Sequence, residues 1–261
     1  MTNADSSDPL WQTIREEAQA AADEDPVLGS FFHASVLNHT SLAASLAYVL
    51  AGKLESQAIP PMLIRKIVGQ ALASDVEISD SLRADMQACR TRDPACDTYL
   101  MPLLYFKGFH ALQSHRVAHW LWLDGRKSMA YMLASRVASV FDVDIHPGAQ
   151  IGAGVMIDHA TGIVIGETAV IGDSVSMLHG VTLGGSGTGS DRRHPHIANG
   201  VLIAAGAKLL GPISVGENAK VGAGSVVLED VPAQATVAGV PAAVVGVQGR
   251  SQPALDMDQG F

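Results

Sequence analysis

Asp144, Asp158, His159, Arg193 and His194 are the residues of this chain whose types and spacing could do chemistry. A histidine can take the proton of a hydroxyl as that hydroxyl attacks an activated carbonyl such as a thioester, because its ordinary pKa lies near neutrality. Such a base works best when a carboxylate fixes its tautomer and steadies the imidazolium. His159 is the candidate base, and Asp144, in VDIHP, the candidate orienting group. Arg193 and His194 stand in the run DRRHP, and Leu183-Gly184-Gly185 offers backbone N–H groups for a developing oxyanion. Loop, glycines and His159 are expected near one corner of the fold. The chemistry such a set suits is acyl transfer to a hydroxyl.

The elements that must position these residues show in a second pattern. An apolar residue returns every sixth position through Ile145, Ile151 and Ile157, then through Ile165, Ile171, Met177 and Leu183. It resumes as Ile197, Ile203, Leu209, Val215, Val221 and Val227. A period of six is neither strand alternation nor a helical turn. It is the hexapeptide repeat of a parallel β-helix, in which three short strands and three corners make one coil. The bulky aliphatics stack inward, and small residues permit the tight corners.

The rhythm slips twice. Ile157 to Ile165 is eight residues, which inserts two within IDHATGIVIGET, and Leu183 to Ile197 is fourteen, which makes a loop of roughly GSGTGSDRRHPH. With the insertions removed, His159 and His179 share one corner of successive coils, followed by Ala205 and Ala223. A polar end opening onto a smooth track could hold an extended chain such as a pantetheine arm. One histidine at a corner would ordinarily be a solvated turn residue, and one Gly-Gly a plain turn. Polar residues at both slips favour a site. His146 and His196 are read as structural, and His179 as either substrate-facing or a corner residue.

Ahead of the repeat, from about residue 9 to 141, apolar spacing is helical. Asp8-Pro9 makes an N-cap and first-turn pair, and further helices are expected over 26–51, 61–73, 79–89, 99–123 and 126–141. Breaks fall at Asp25-Pro26, Pro60-Pro61, Asp93-Pro94 and Asp124-Gly125. The chain is thus expected to divide into a helical oligomerisation domain (1–141), a hexapeptide β-helix catalytic domain (142–246) and a flexible C-terminal tail (247–261). The helical half is expected to cap one end of the coil and the tail to lie at the other. The 261 residues are 48% apolar and 16% charged, with no run long enough to span a bilayer. The N-terminus lacks a signal-peptide pattern, and two cysteines, Cys89 and Cys96, make neither a disulfide framework nor a zinc site, so a cytoplasmic setting is expected. A formal charge of −9 without a basic block argues against nucleic-acid binding and leaves room for an anionic cosubstrate held by a few local cations.

Residues 142–246, with VDIHPGAQIG, DHATGIVIGET, LHGVTLGG, DRRHP, AGAKLLG, VGAGSVVL and AGVPAAVVG, resemble serine O-acetyltransferases of the hexapeptide acyltransferase superfamily. RDPACDTYLMPLLYFKGFHALQSHR at 92–116 is similar to that family's segment before the β-helix. The repeat alone would indicate only the superfamily; RDPA, DHATG and LGG…RHP together are specific to the enzyme. The resemblance implies an α+β fold with a left-handed parallel β-helix, and acetyl transfer from acetyl-CoA to the L-serine hydroxyl for cysteine synthesis. It implies His159 as general base, Asp144 as its orienting partner and His194 as a second catalytic histidine. Asp93, Asp158 and Arg193 would hold serine, two carboxylates facing its ammonium and a guanidinium its carboxylate. Gly185, Ala205, Gly206 and Ala223 would line the CoA groove, with Lys220 near the phosphates and no metal. It further implies a homotrimer or a hexamer of two trimers, L-cysteine as feedback inhibitor, and O-acetylserine sulfhydrylase as a partner of the C-terminus. The terminal Phe261 departs from the isoleucine typical of that contact.

Three rival readings make different demands. An acetyltransferase for sugars or xenobiotics would not need the Asp93, Asp158 and Arg193 set. A metal hydratase would need three histidines, such as His146, His159 and His179, converging across a subunit boundary. A non-enzymatic scaffold would not need the base, orienting group and loop together.

Overall fold

The computed structural model describes residues 8–187, 192–247, 249 and 252–259. Asp8 opens α1 (Pro9–Glu24) as expected, its Oδ1 accepting from the Leu10 and Trp11 N–H groups at 3.1 and 3.4 Å. The helix expected over 26–51 is interrupted. A 3₁₀ turn (Pro26–Leu28), α2 (Gly29–Phe32) and a π-helical turn (His33–Leu37) precede α3 (Leu42–Leu54). Ser41 is the cause: it is extended and its Oγ accepts from the Ala44 N–H at 3.2 Å, capping a new helix where apolar spacing suggested continuation. After α4 (Pro61–Ser74) and α5 (Val76–Arg92), the helix expected over 99–123 also divides, into α6 (Leu100–Leu104) and α7 (Lys107–Leu123) around an extended Phe106. Then α8 (Lys127–Phe141) ends at Asp142, whose left-handed conformation (φ 59°) turns the chain into the first strand.

α7 is buried on every side from Gly108 to Ala118, which makes it the axis of the helical half. It also meets the coil. A Cβ on Gly108 would stand 2.1 Å from the Ile157 carbonyl oxygen, so only glycine lets the helix approach the residue before Asp158. Deeper in, Asp85 is fully buried and accepts from Arg116 Nε and Nη2, Gln113 Nε2 and the Val155 N–H, all at 2.8–2.9 Å. Burial pushes its carboxyl upward; every neighbour donates, which keeps it the acceptor. Arg116 directs two more donors to the carbonyls of Ile151 and Gly152, at 3.1 and 2.7 Å. One ion pair thereby fastens α5, α7 and the corner of the first coil between its second and third faces.

The coil has three faces of parallel strands, and its register is the one the six-step rhythm requires. On the first face Ile145 pairs with Ile165, Ile165 with Leu183, Leu183 with Leu209 and Leu209 with Val227. The second face aligns Ile151, Ile171, Ile197 and Val215, and the third Ile157, Met177, Ile203, Val221 and Val237. Ile157 opposite Met177 makes that coil 20 residues long, against 18 from Ile203 to Val221. Both insertions therefore lie at corners, where the ladder does not have to break.

As expected, the helical half covers one end, with α7 and α8 against the first strands. The other end differs from expectation. Ala235–Gly239 joins the third face in parallel, and Ala242–Val247 then returns antiparallel to it as a hairpin. The segment after it does not stay at that end. α9 (Pro253–Asp256) packs back along the third face against α5 and Leu202–Ile203, with Pro253 and Ala254 buried and the Ala254 carbonyl accepting from Ser176 Oγ at 2.8 Å. Buried polar groups on that face, Ser176 and Lys220, supply the bonds that draw it back. Phe261 lies outside the described residues. Among the described residues, no helix is long and apolar enough to cross a membrane.

Candidate active site

The first corner of chemical interest lies between the third and first faces. The Asp158 N–H donates to the Met177 carbonyl at 2.8 Å, and His159 and Ala160 then take positive φ values of 56° and 62°. Such values are uncommon for residues with side chains. They result from fitting two extra residues into one corner, and they leave the His159 side chain 72% exposed beside a half-buried Asp158. His159 Nε2 is 3.5 Å from Asp158 Oδ2. The His159 and His179 rings are 6.0 Å apart at 60°, so the two histidines do stack at one corner. Asp93 arrives from the end of α5, held by its N–H to the Cys89 carbonyl at 3.2 Å and by Oδ1 accepting from the Ala95 N–H at 2.8 Å. Burial raises the Asp158 pKa, His159 and His179 oppose this, and the nearby Asp93 charge adds to it. Two carboxylates and two imidazoles thus share one corner.

Arg193, His194 and Gly185 stand elsewhere. The loop leaves after Leu183, one corner beyond His179, and so belongs to the edge between the first and second faces. The expectation of one shared corner is corrected accordingly. Within a single chain a strand of the first face, about 10 Å at 3.3 Å per residue, separates the loop from His159. The hexad count fixes which residues stack, and with three hexads to a coil successive corners fall on different edges.

His194 is buried at its own corner and is gripped by Thr168, whose N–H and hydroxyl lie 3.2 and 2.9 Å from Nδ1. Because Nδ1 accepts from a backbone N–H, the neutral ring carries its proton on Nε2. That Nε2 edge passes between two glycines: a Cβ on Gly166 would be 1.9 Å from it and one on Gly185 2.8 Å. Burial and the neighbouring Arg193 both lower the His194 pKa. Arg193 Nη2 pairs with Glu167 Oε2, and that hydrogen bond holds the Glu167 carboxyl below its ordinary value. Asp144 projects, exposed, from the first-face strand beside this group, where its charge bears on His146. Among the described residues it makes no hydrogen bond or ion pair with His159. His146 accepts from the Gly148 N–H at 3.0 Å and packs against Trp122 and Tyr131, a face away from His159 and His179.

Gly166 and Thr168 belong to the site without a signal in their residue types, since backbone windows and a hydroxyl clamp leave little trace in sequence. Replacing Gly166 by alanine should push His194 aside and reduce turnover by about tenfold or more. Unchanged activity, with an unchanged His194 ring signal by NMR, would count against the window.

The column above His179 continues as Ala205, Gly206 and Ala223, all at the same corner, with Gly206 at φ 72°. Lys220 is placed differently from the expected groove. It is 3% exposed on the third face, and its Nζ donates to the Asp258 carbonyl at 3.0 Å beneath the C-terminal segment.

A helical cap on a parallel coil of six-residue repeats, with its reactive groups gathered at the corners, defines a hexapeptide-repeat transferase. Residues 194–229 match the family "Bacterial transferase hexapeptide (six repeats)", and residues 10–114 match "Serine acetyltransferase, N-terminal". The serine acetyltransferase of Salmonella typhimurium is 56% identical over 252 residues, 97% of this chain and 92% of that protein. The Neisseria gonorrhoeae serine acetyltransferase solved in complex with serine is 57% identical with a TM-score of 0.87, over 90% of this chain and 96% of that one. A Brucella abortus serine acetyltransferase in complex with coenzyme A is 51% identical with a TM-score of 0.92, over 94% and 98%. A serine acetyltransferase in complex with cysteine is 52% identical with a TM-score of 0.95, over 97% and 98%. The chain belongs to the serine acetyltransferase family.

Proposed function

We propose that this chain transfers acetyl from acetyl-CoA to the L-serine hydroxyl, with His159 as the base. The observation that carries this reading is the corner at which His159 and Asp158 meet, 3.5 Å apart, with Asp93 near enough for its charge to bear on Asp158. Paired carboxylates beside a base suit an acceptor that brings an ammonium along with its hydroxyl. His159 takes the serine hydroxyl proton as the oxygen bonds to the acetyl carbon. The carbon–sulfur bond then breaks, and the departing CoA thiolate recovers that proton from the imidazolium. Arg193 meets the substrate carboxylate, and His194, its proton fixed on Nε2, serves as a donor to the developing oxyanion. The small column of Ala205, Gly206 and Ala223, with Gly185, offers a path for the pantetheine arm.

His159 and His194 occupy different edges of one coil, so a complete site in this reading takes one edge from each of two neighbouring copies. A homotrimer, or two trimers joined through the helical half (1–141), follows from that, with 142–246 carrying catalysis. Asp144 retains the role of orienting carboxylate for an imidazole across that boundary. L-Cysteine presents the same ammonium and carboxylate as serine with a thiol for the hydroxyl, so it inhibits by occupying the same clamp. The tail (247–261) remains the candidate contact for O-acetylserine sulfhydrylase, and two buried free thiols suit a cytoplasmic setting.

The deciding experiment is CoA release across a panel of acceptors, L-serine against sugars and xenobiotic amines, followed by added L-cysteine. Activity confined to serine and suppressed by cysteine is expected; preference for a sugar would overturn the reading. Asp93→Asn and Arg193→Gln should each raise the serine KM by about 10- to 100-fold, the worth of a charge-assisted hydrogen bond, with a smaller change for acetyl-CoA. Equal rises in both constants would misplace the serine pocket.

A further inference from the structure

Arg92, the last residue of α5, is 7% exposed although it carries a charge. Its Nη1 donates to Ser176 Oγ at 3.0 Å and to the Val175 carbonyl at 3.4 Å. Its Nε is buried without a hydrogen-bond partner, and no carboxylate lies within ion-pair distance of the guanidinium among the described residues. Burial pulls its pKa below the ordinary arginine value. Burying an unpaired guanidinium is unfavourable, and an apolar side chain could fill the same space more cheaply. Packing alone therefore does not account for it.

Its neighbours suggest what does. The next residue is Asp93, fixed by backbone bonds to the end of α5 and by its turn with Ala95. On the other side, Ser176 precedes Met177, whose carbonyl accepts the Asp158 N–H at 2.8 Å. Ser176 gives its single hydroxyl proton to the Ala254 carbonyl at 2.8 Å, so toward Arg92 its oxygen can only accept. The Arg92–Ser176 bond thus ties the end of α5, where Asp93 follows directly, to the Ser176–Met177 strand, whose Met177 carbonyl holds the Asp158 N–H of the neighbouring coil.

We propose that Arg92 is a positioning residue for serine recognition: clamped by Ser176, it sets the separation of Asp93 and Asp158 across the ammonium site. This rests on the assignment of those two carboxylates to the serine ammonium made above. Arg92 itself touches no substrate. Both bonds come from the one nitrogen Nη1, so a lysine ammonium, compact and on a shorter stem, can replace them only if it reaches as far, and it restores only part of the effect.

The test compares Arg92→Met, Arg92→Lys, Ser176→Ala and Asp93→Asn in the full-length protein, with KM for serine and for acetyl-CoA, kcat and Tm. Arg92→Met is expected to raise the serine KM by about tenfold or more, in line with the cost of misplacing a binding group by an ångström, while the acetyl-CoA KM stays within about twofold. Ser176→Ala should shift the serine KM in the same direction by less, and Arg92→Lys should lie between wild type and Arg92→Met. A merely structural arginine would lower Tm without separating the two constants, and that result overturns the proposal. If Arg92→Met does not fold, Ser176→Ala decides, and an unchanged serine KM in it is negative. Should Asp93→Asn raise the serine KM while the Arg92 and Ser176 variants do not, the clamp fails and the serine pocket stands. An unchanged serine KM in Asp93→Asn removes the pocket, and the proposal falls with it.

Discussion

Replacing His159 by alanine should reduce kcat for CoA release about a thousandfold and leave the protein folded and assembled. General-base catalysis by a positioned side chain contributes roughly 10²–10⁴ in rate, and proton removal from a hydroxyl at neutral pH sits toward the demanding end. His159 is suited to carry that whole share. Its side chain is 72% exposed and, among the described residues, meets Asp158 at 3.5 Å and the His179 ring at 6.0 Å, so its loss removes no core contact. Exposed substitutions of this kind ordinarily change stability by no more than about 0.5 kcal/mol. The KM values should move little, because the carboxylates and the guanidinium that hold serine remain. Steady-state kinetics with a gel-filtration profile check both halves of the statement. If the alanine variant keeps most of its activity, His159 is not the base, and His179 at the same corner becomes the group to replace next.

The largest effect on stability should come from Arg116. Its guanidinium meets a fully buried Asp85 whose other donors are Gln113 and the Val155 N–H. Arg116→Met fills much of the volume and leaves that carboxylate without its counter-charge. Breaking a buried pair from one side costs about 3–5 kcal/mol, whereas replacing both partners by apolar groups costs far less. Urea unfolding should show a loss of that order for Arg116→Met, and Asp85→Leu combined with Arg116→Met should recover part of it. A loss below about 1 kcal/mol would mean that water or another cation reaches Asp85. Because Arg116 also holds the carbonyls of Ile151 and Gly152, the single variant should loosen the first coil, on which Asp158 and His159 are mounted.

Sequence carries the stacking of this fold almost completely and the placement of its corners only in part. Ile157 opposite Met177 and Ile203 opposite Val221 follow directly from the six-step rhythm, because each guide residue must fill the same interior slot in every coil. The pairing of His159 with His179 came with them. Which edge the Arg193-His194 loop would occupy was harder, since a period of six does not distinguish the three corners. Helix interruptions at Ser41 and Phe106 were masked by continuous apolar spacing, because capping and a change of direction are local events. The resemblance implies Lys220 near the CoA phosphates, but a face covered by α9 supplies it with the Asp258 carbonyl instead. Arg92, Gly166 and Thr168 meet only backbone and other side chains at these corners, so their residue types alone say little.

The hairpin at 235–247 has a consequence for how copies of this protein can associate. A parallel coil is by construction ready to receive another coil of the same polarity, which is how cross-β fibrils elongate. Here the last strand of the third face runs backwards, and a bulge between Thr236 and Val237 disturbs its register. The opposite end is plugged by α7 and α8. Among the described residues the third face therefore ends without a parallel template, and helices cover the start of the coil, so lengthening along the axis is opposed at both ends. The restriction applies to the strand ladders alone; the sides of the prism and the helical cap carry no such block.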